Sequence, residues 1–131
     1  LKSKKRGGSI IQLSSIYGLV AQNLNVYKDT KIKENIGYSS IKASLYHFSK
    51  QMCSYYSKNN IRINSVCPGG VLSSKDKNQS KKFLENYKKF VPIKRLAEPN
   101  EIASCIIFLS MDASSYITGS TLIVDGGWTA W

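Results

Sequence analysis

Three short apolar runs, each closed by residues through which a strand does not continue, confine this chain to a narrow set of folds. The run Ser9-Ile10-Ile11-Gln12-Leu13 ends in the hydroxyl pair Ser14-Ser15 and then Gly18. The run Ile61-Arg62-Ile63-Asn64-Ser65-Val66-Cys67 alternates and stops at Pro68-Gly69-Gly70. The last, Thr121-Leu122-Ile123-Val124, is closed by Asp125-Gly126-Gly127. Such runs read as strands at about 9–14, 61–67 and 120–124, punctuated by proline and glycine. The stretches between them carry helical signals, so the chain is read as α/β. One helix is expected from near Tyr38 to about Lys58, with Ile41, Leu45, Phe48 and Met52 as its buried face. A second is expected over 81–90. A third begins at Pro99, which suits a first helical turn, and presents Ile102, Cys105, Ile106 and Leu109 as an apolar stripe ending near Ser110. Between the second strand and second helix lies a polar, lid-like stretch, Ser73 to Ser80.

Ligands of open α/β sheets bind beyond the carboxyl ends of the strands, which puts Ser15 where a site belongs. Tyr38 and Lys42 add chemistry to that position. Four residues apart on a helix, they lie one turn from each other on one face. A free phenol loses its proton near pH 10, so a tyrosine acting as a base near neutrality needs about 4 kcal/mol of electrostatic help. A neighbouring ammonium and a bound cationic cofactor are sources of that help. By itself the pair is common in ordinary amphipathic helices. Its weight comes from what surrounds it.

Serine after a buried strand, Tyr38-x-x-x-Lys42, Asn64-x-x-x-Pro68-Gly69 and Ile117-Thr118-Gly119 followed by Val124-Asp125-Gly126-Gly127 occur in that order. Together they resemble the catalytic half of the short-chain dehydrogenase/reductase family, over residues 7–127. The segment Pro92 to Ala103 also resembles the family's approach to its last major helix. The resemblance implies the C-terminal half of a doubly wound, Rossmann-type parallel sheet with three strands and about three helices, residues 1–131 forming one partial domain. It implies an NAD- or NADP-dependent oxidoreductase that interconverts an alcohol and a carbonyl. Tyr38 would be the general acid/base, and Lys42 would favour its ionised form and bind the nicotinamide ribose. Ser15, two residues before the Tyr17-Gly18 pair, would orient the substrate oxygen. Pro68, Gly69, Gly70 and Val71 would lie along the nicotinamide, and Ser73 near the cofactor phosphates.

The family's Gly-x-x-x-Gly-x-Gly loop does not occur in these residues, nor does its Asn-Ala-Gly stretch or the helix asparagine of its catalytic set. Lys2-Ser3-Lys4-Lys5-Arg6 resembles the end of a preceding helix, so the sequence is read as a C-terminal portion of a longer polypeptide. The alternative is a non-catalytic fragment or oligomerisation module. Ser15 and Tyr38 also stand farther apart than is usual in the family. The extra stretch includes Val26 to Asn35, expected beside the mouth of the site. That insertion and the ending at Trp128 are similar to oxidoreductases of flagellin modification and surface-sugar synthesis, which suggests a nucleotide-linked or acidic sugar as substrate. A homodimer or homotetramer is implied for the full-length parent.

The hydrophobic share of 42% is that of a globular chain, and no apolar run approaches the length of a membrane span. The three cysteines form no Cys-x-x-Cys, and the single His47 has no metal-ligand partners. Reduced thiols, a cytoplasmic setting and no metal are expected. The net charge of +11 is spread over Lys2–Arg6, Lys28–Lys33, Lys75–Lys82 and Lys88–Arg95, without a nucleic-acid-binding module, so neither nucleic acid nor membrane is an expected partner. Produced alone, these 131 residues should be poorly soluble or molten, because the strand at 9–14 would be an apolar sheet edge, and without the glycine-rich loop they should bind nicotinamide dinucleotide feebly. A monodisperse preparation with a sharp cooperative melt would contradict this.

Overall fold

The computed structural model describes residues 7–76 and 79–131. The helix end expected over 2–6, and positions 77 and 78 of the lid-like stretch, lie outside the described residues.

Three strands, β1 (Gly8–Leu13), β2 (Ile61–Pro68) and β3 (Thr121–Val124), form a parallel sheet in the order β1-β2-β3. Gly8 pairs with Ile61 through to Leu13 with Val66, and Ser65 with Thr121 through to Pro68 with Val124. Three helices link them: α1 (Ile36–Tyr56), α2 (Lys81–Phe90) and α3 (Pro99–Ser110). The elements fall within a few residues of the sequence reading because their ends carry strong local signals. Asn35 caps α1 by accepting the Tyr38 N–H at 3.3 Å, and Ser80 caps α2 through the Phe83 N–H at 3.2 Å. Pro99 opens α3, where the Glu98 N–H donates to Glu101 at 2.8 Å. Arg95 grips the same Glu101 carboxylate with two bonds of 2.7 Å. First that guanidinium and then the Glu98 N–H hold its carboxyl down to about 2.

Strand β2 is buried from Ile63 to Pro68 because it has a neighbour on each side. Its Asn64 is wholly buried and bonded through both ends of its amide, which donates to Ile117 O at 2.9 Å and accepts the Ser120 N–H at 3.0 Å. Thr118 Oγ1 accepts the Ile63 N–H, and Ile63 O accepts the Gly119 N–H at 2.7 Å. This clamp sets the entry and register of β3. Below it, Ile102 and Leu109 of α3 pack with Val66, joined by Ile11, Ile106, Leu122 and Val124. Ser9 Oγ pins the end of α3 by donating to Leu109 O at 2.8 Å.

One expectation for α1 needs correction. Ile41 and Phe48 are 62% and 49% exposed, while Leu45 and Met52 are half-buried. Ser49 is the fully buried residue of α1, flanked by half-buried Ala43, Tyr46 and Cys53. Small residues let the helix lie close to β2 and to the turn after β1, which leaves the larger apolar side chains on another face. Ile41, Phe48 and Tyr55, spaced by seven, form that separate exposed stripe. β1 is an edge of the described sheet, and its Ile10 and Leu13 are exposed.

Replacing Asn64 by Ala would take the acceptor from the Ser120 N–H and leave Ile117 O with the 3.3 Å bond from Arg62, at a cost of about 2 kcal/mol. Urea unfolding of the polypeptide that carries this chain should register that loss, and an unchanged midpoint would refute the clamp.

Candidate functional site

All three strands run parallel, so the segments that follow them gather at one end of the sheet. Ile16 after β1, Tyr87, Val91 and Leu96 after β2, and Trp128 after β3 form one buried cluster there, together with Val26. Its centre is aromatic. Tyr87 stacks on Trp128 with ring centroids 4.6 Å apart, while Tyr17 and Phe90 meet the same indole edge-on at 6.4 and 6.2 Å. Asp125 holds the turn into Trp128 by accepting the Gly127 N–H at 2.9 Å and the Thr129 N–H at 2.8 Å.

Above this floor opens a cleft of about 460 Å³. Ser15, Tyr38, Gly69 and Gly70, all expected at the site, line it. The two serines after β1 have separate tasks. Ser14 Oγ donates to Lys42 O at 2.6 Å, tying the strand end to α1, and does not line the cleft. Ser15 Oγ accepts the Tyr17 N–H at 3.2 Å and borders the cleft. Gly18 completes the junction, since a Cβ there would stand 2.6 Å from the Lys42 carbonyl carbon.

Lys42 lies beside Tyr38, its ammonium 5.6 Å from the centre of the phenol ring, and donates to Leu13 O at 2.9 Å. The spacing of four therefore has the geometry expected of it. Tyr38 is 41% exposed and open to the cleft. Gly69 donates its N–H to Val124 O at 2.9 Å, binding the turn after Pro68 to the end of β3. The Gly70 N–H donates to the Tyr87 hydroxyl, and a Cβ at Gly70 would fall 2.7 Å from the Tyr87 ring. Glycine is required there because an aromatic ring lies flat against the backbone. Pro68, Val71 and Ser73 flank the turn without lining the cleft. Val71 forms a single parallel bridge with Ala97, and its carbonyl accepts from Gln79 at 2.7 Å. Ser73 is exposed, and its N–H donates to Gln79 Oε1 at 2.9 Å.

The inserted stretch reaches the cleft, which Tyr27, Ile32, Lys33, Glu34 and Asn35 border on one side. Phe83, Tyr87 and Gln79 border it on another, and sequence reasoning missed all three. Their signal was the aromatic series Phe83, Tyr87 and Phe90, which repeats at helical spacing along α2. His47 lies exposed on α1 beside Tyr46, and among the described residues no group of acidic, histidine or cysteine side chains is arranged to hold a metal. Cys67 is buried, Cys53 and Cys105 are half-buried, and all three are free thiols. No helix of the described residues is long and apolar enough to cross a membrane.

Residues 1–129 match the protein family described as enoyl-(acyl carrier protein) reductase. The chain is 37% identical over 125 residues to a post-translational flagellin modification protein A from Campylobacter coli, a match spanning 95% of this chain and 47% of the relative. It is 36% identical over 124 residues to a 3-oxoacyl-[acyl-carrier-protein] reductase from Chlamydia trachomatis, across 95% of this chain and 46% of that protein. Its fold resembles a short-chain dehydrogenase from Leptospira borgpetersenii, solved with bound NAD+, with a TM-score of 0.84 and 34% identity. That alignment covers 98% of this chain and 46% of the other. The chain thus spans about half the length of the relatives it matches.

The tyrosines of the site give it a pH signature. Burial pushes the Tyr87 phenol up to about 12, against a smaller opposing pull from the Gly70 N–H. Burial raises Tyr17 too, with Tyr27 adding to the effect. A phenol that ionises later folded than unfolded stabilises the fold fully below its unfolded value of 10.0, and that contribution is lost as pH climbs towards about 12. Tyrosinate absorbance should therefore show delayed ionisation that Tyr87→Phe reduces by one tyrosine, with stability falling across the same window. Ionisation of every tyrosine together near pH 10, with the fold intact, would overturn this.

Proposed function

The chain belongs to the short-chain dehydrogenase/reductase family, and on that premise we propose that it supplies the proton-transfer half of a nicotinamide-dependent alcohol–carbonyl oxidoreductase. The observation that carries the reading is the meeting of Ser15 and Tyr38 in one cleft, with Lys42 beside the phenol and the Gly69-Gly70 turn at the edge. NAD or NADP, when bound, would supply the hydride acceptor or donor. The donors present suit the nicotinamide-ribose end of such a cofactor. The Lys42 ammonium spends one N–H on Leu13 O and has two more for ribose hydroxyls. The turn from Pro68 to Val71 borders the same cleft at Gly69 and Gly70, with Ser73 farther along. The N–H groups of those glycines already donate to Val124 O and the Tyr87 hydroxyl, so the turn would meet a cofactor by close approach of its backbone. The glycine-rich phosphate loop of the family does not occur in these residues.

Each side chain then has a distinct task. Tyr38 would move a proton to or from the substrate oxygen, its partial exposure leaving the hydroxyl accessible. Lys42 would stabilise the negative charge left on the phenol oxygen. Ser15, held by the Tyr17 N–H, would donate a hydrogen bond to the substrate oxygen and stabilise charge there. Ser14 is committed to Lys42 O and keeps the strand end and the helix in register.

The finer reading follows the lining. Tyr17, Tyr27 and Phe83 offer flat apolar surfaces, and Gln22, Lys33 and Asn35 offer hydrogen-bonding groups. That mixture, with Lys33 set against Glu34 and Asp76, suits a small polyhydroxylated molecule such as a sugar derivative. The net charge of +11 draws anions such as a sugar acid or nucleotide-linked sugar to the molecule as a whole. A flagellin modification protein among the relatives points the same way. In the parent protein, the exposed Ile41, Phe48 and Tyr55 stripe of α1 favours a homodimer or homotetramer, and we infer a cytoplasmic setting from the free thiols. Residues 1–131 would be one part of a single Rossmann-type domain.

In the polypeptide that carries this chain, Tyr38→Phe should cut nicotinamide-dependent turnover by about a thousandfold while cofactor affinity stays within a few-fold. Steady-state rates and the fluorescence of bound reduced cofactor measure the two separately. Retained turnover would sink the mechanism.

A further inference from the structure

The connection between β1 and α1 forms one wall of the cleft, yet a helix far along the chain holds it. Asn86 of α2 is 4% exposed and gives its side-chain N–H groups to two carbonyls of that connection, Lys28 O at 2.8 Å and Val26 O at 3.3 Å. On the same helix, Phe83 stacks on Tyr27 with centroids 6.2 Å apart. Val26 is wholly buried in the aromatic cluster below. From this anchored point the chain turns back through Asp29, left-handed at φ 58°, and Thr30, whose hydroxyl donates to Tyr27 O at 2.7 Å and accepts the Ile32 N–H at 3.2 Å. The next residues, Ile32 to Asn35, face the cleft. Position flows in one direction: Asn86 fixes 26–28, the Thr30 turn fixes 32, and 32–35 set the distance across to Phe83 and Gln79.

We propose that Asn86 is a positioning residue for substrate selection, holding the 26–35 wall at a set width from α2; this rests on the oxidoreductase reading above. The chemistry demands an amide. Two carbonyls need two donors from one short side chain. Aspartate, of the same shape, would present only acceptors to them, and leucine would fill the space without bonding. Lys42 lies outside this linkage. The Gly69-Gly70 turn meets α2 through Tyr87, which is held by its own stack on Trp128, so cofactor binding should change little when Asn86 is replaced.

The test uses Asn86→Asp and Asn86→Leu in the polypeptide that carries this chain. Limited trypsin digestion reports on the wall directly, since Lys28, Lys31 and Lys33 lie within it. Both variants should raise cleavage at these lysines about tenfold, the factor that one lost hydrogen bond commands. Cofactor affinity, read by fluorescence, should stay within twofold and report an intact fold. Turnover is measured on D-gluconate, D-arabinitol and 3-hydroxybutyrate. The ratio of kcat/KM between the best and worst of these should shrink about tenfold, through KM and not kcat. Faster cleavage with an unchanged ratio would make Asn86 merely structural and overturn the proposal, as would unchanged cleavage. Wild-type protein that binds cofactor but turns over none of the three would instead overturn the substrate reading on which the proposal stands.

Discussion

Parallel pairing of two strands on β2 is the constraint on which the rest depends. It sends every strand in one direction, so the residues after Leu13, Pro68 and Val124 all emerge at the same end of the sheet. Those segments then have one another to pack against. The stack of Tyr87 on Trp128, with Tyr17 at its edge, is the result. Asn64 guards the arrangement from within. Its two bonds to the 117–120 segment compensate for burying an amide, and they hold β3 where its carboxyl end meets the Gly69 turn.

The cleft inherits its character from this packing. Glycine at position 70 allows an aromatic ring to lie on the backbone, and that ring's hydroxyl takes the Gly70 N–H. The floor is therefore apolar in bulk, with the Tyr17 hydroxyl buried in it, and removal from water raises the phenols there. At the rim the pattern reverses. Tyr38 is exposed, and Ser15 has a hydroxyl left to offer, so the groups able to exchange protons lie where a ligand can reach them.

Much of this was legible in the chain. The ends of the elements were, because Pro68-Gly69-Gly70, Pro99 and the Asn35 and Ser80 caps act locally. That Ser15 and the glycine turn would meet at one cleft was legible because strand ends in an α/β sheet are where ligands bind, and Tyr38 was legible beside them from its spacing to Lys42. The buried face of α1 was misjudged at Ile41 and Phe48. Hydrophobic periodicity reports that a stripe exists, and it does not say which of two stripes meets the sheet. Close approach decided that, through Ser14 bonded to Lys42 O and Gly18 pressed against the same carbonyl.

The sequence by itself determined the α/β order, the strand ends, the one-turn relation of Tyr38 to Lys42 and the family to which these belong. These follow from local geometry, which residue spacing and backbone preference control. Only the tertiary structure decided that Ser14 is tied to Lys42 O, that α2 supplies Phe83 and Tyr87 to the cleft, and that Asn86 holds the opposite wall. Each of these is a contact across long stretches of chain, 58 residues from Lys28 to Asn86. Such contacts arise from how the faces of the elements pack, and no local pattern encodes them.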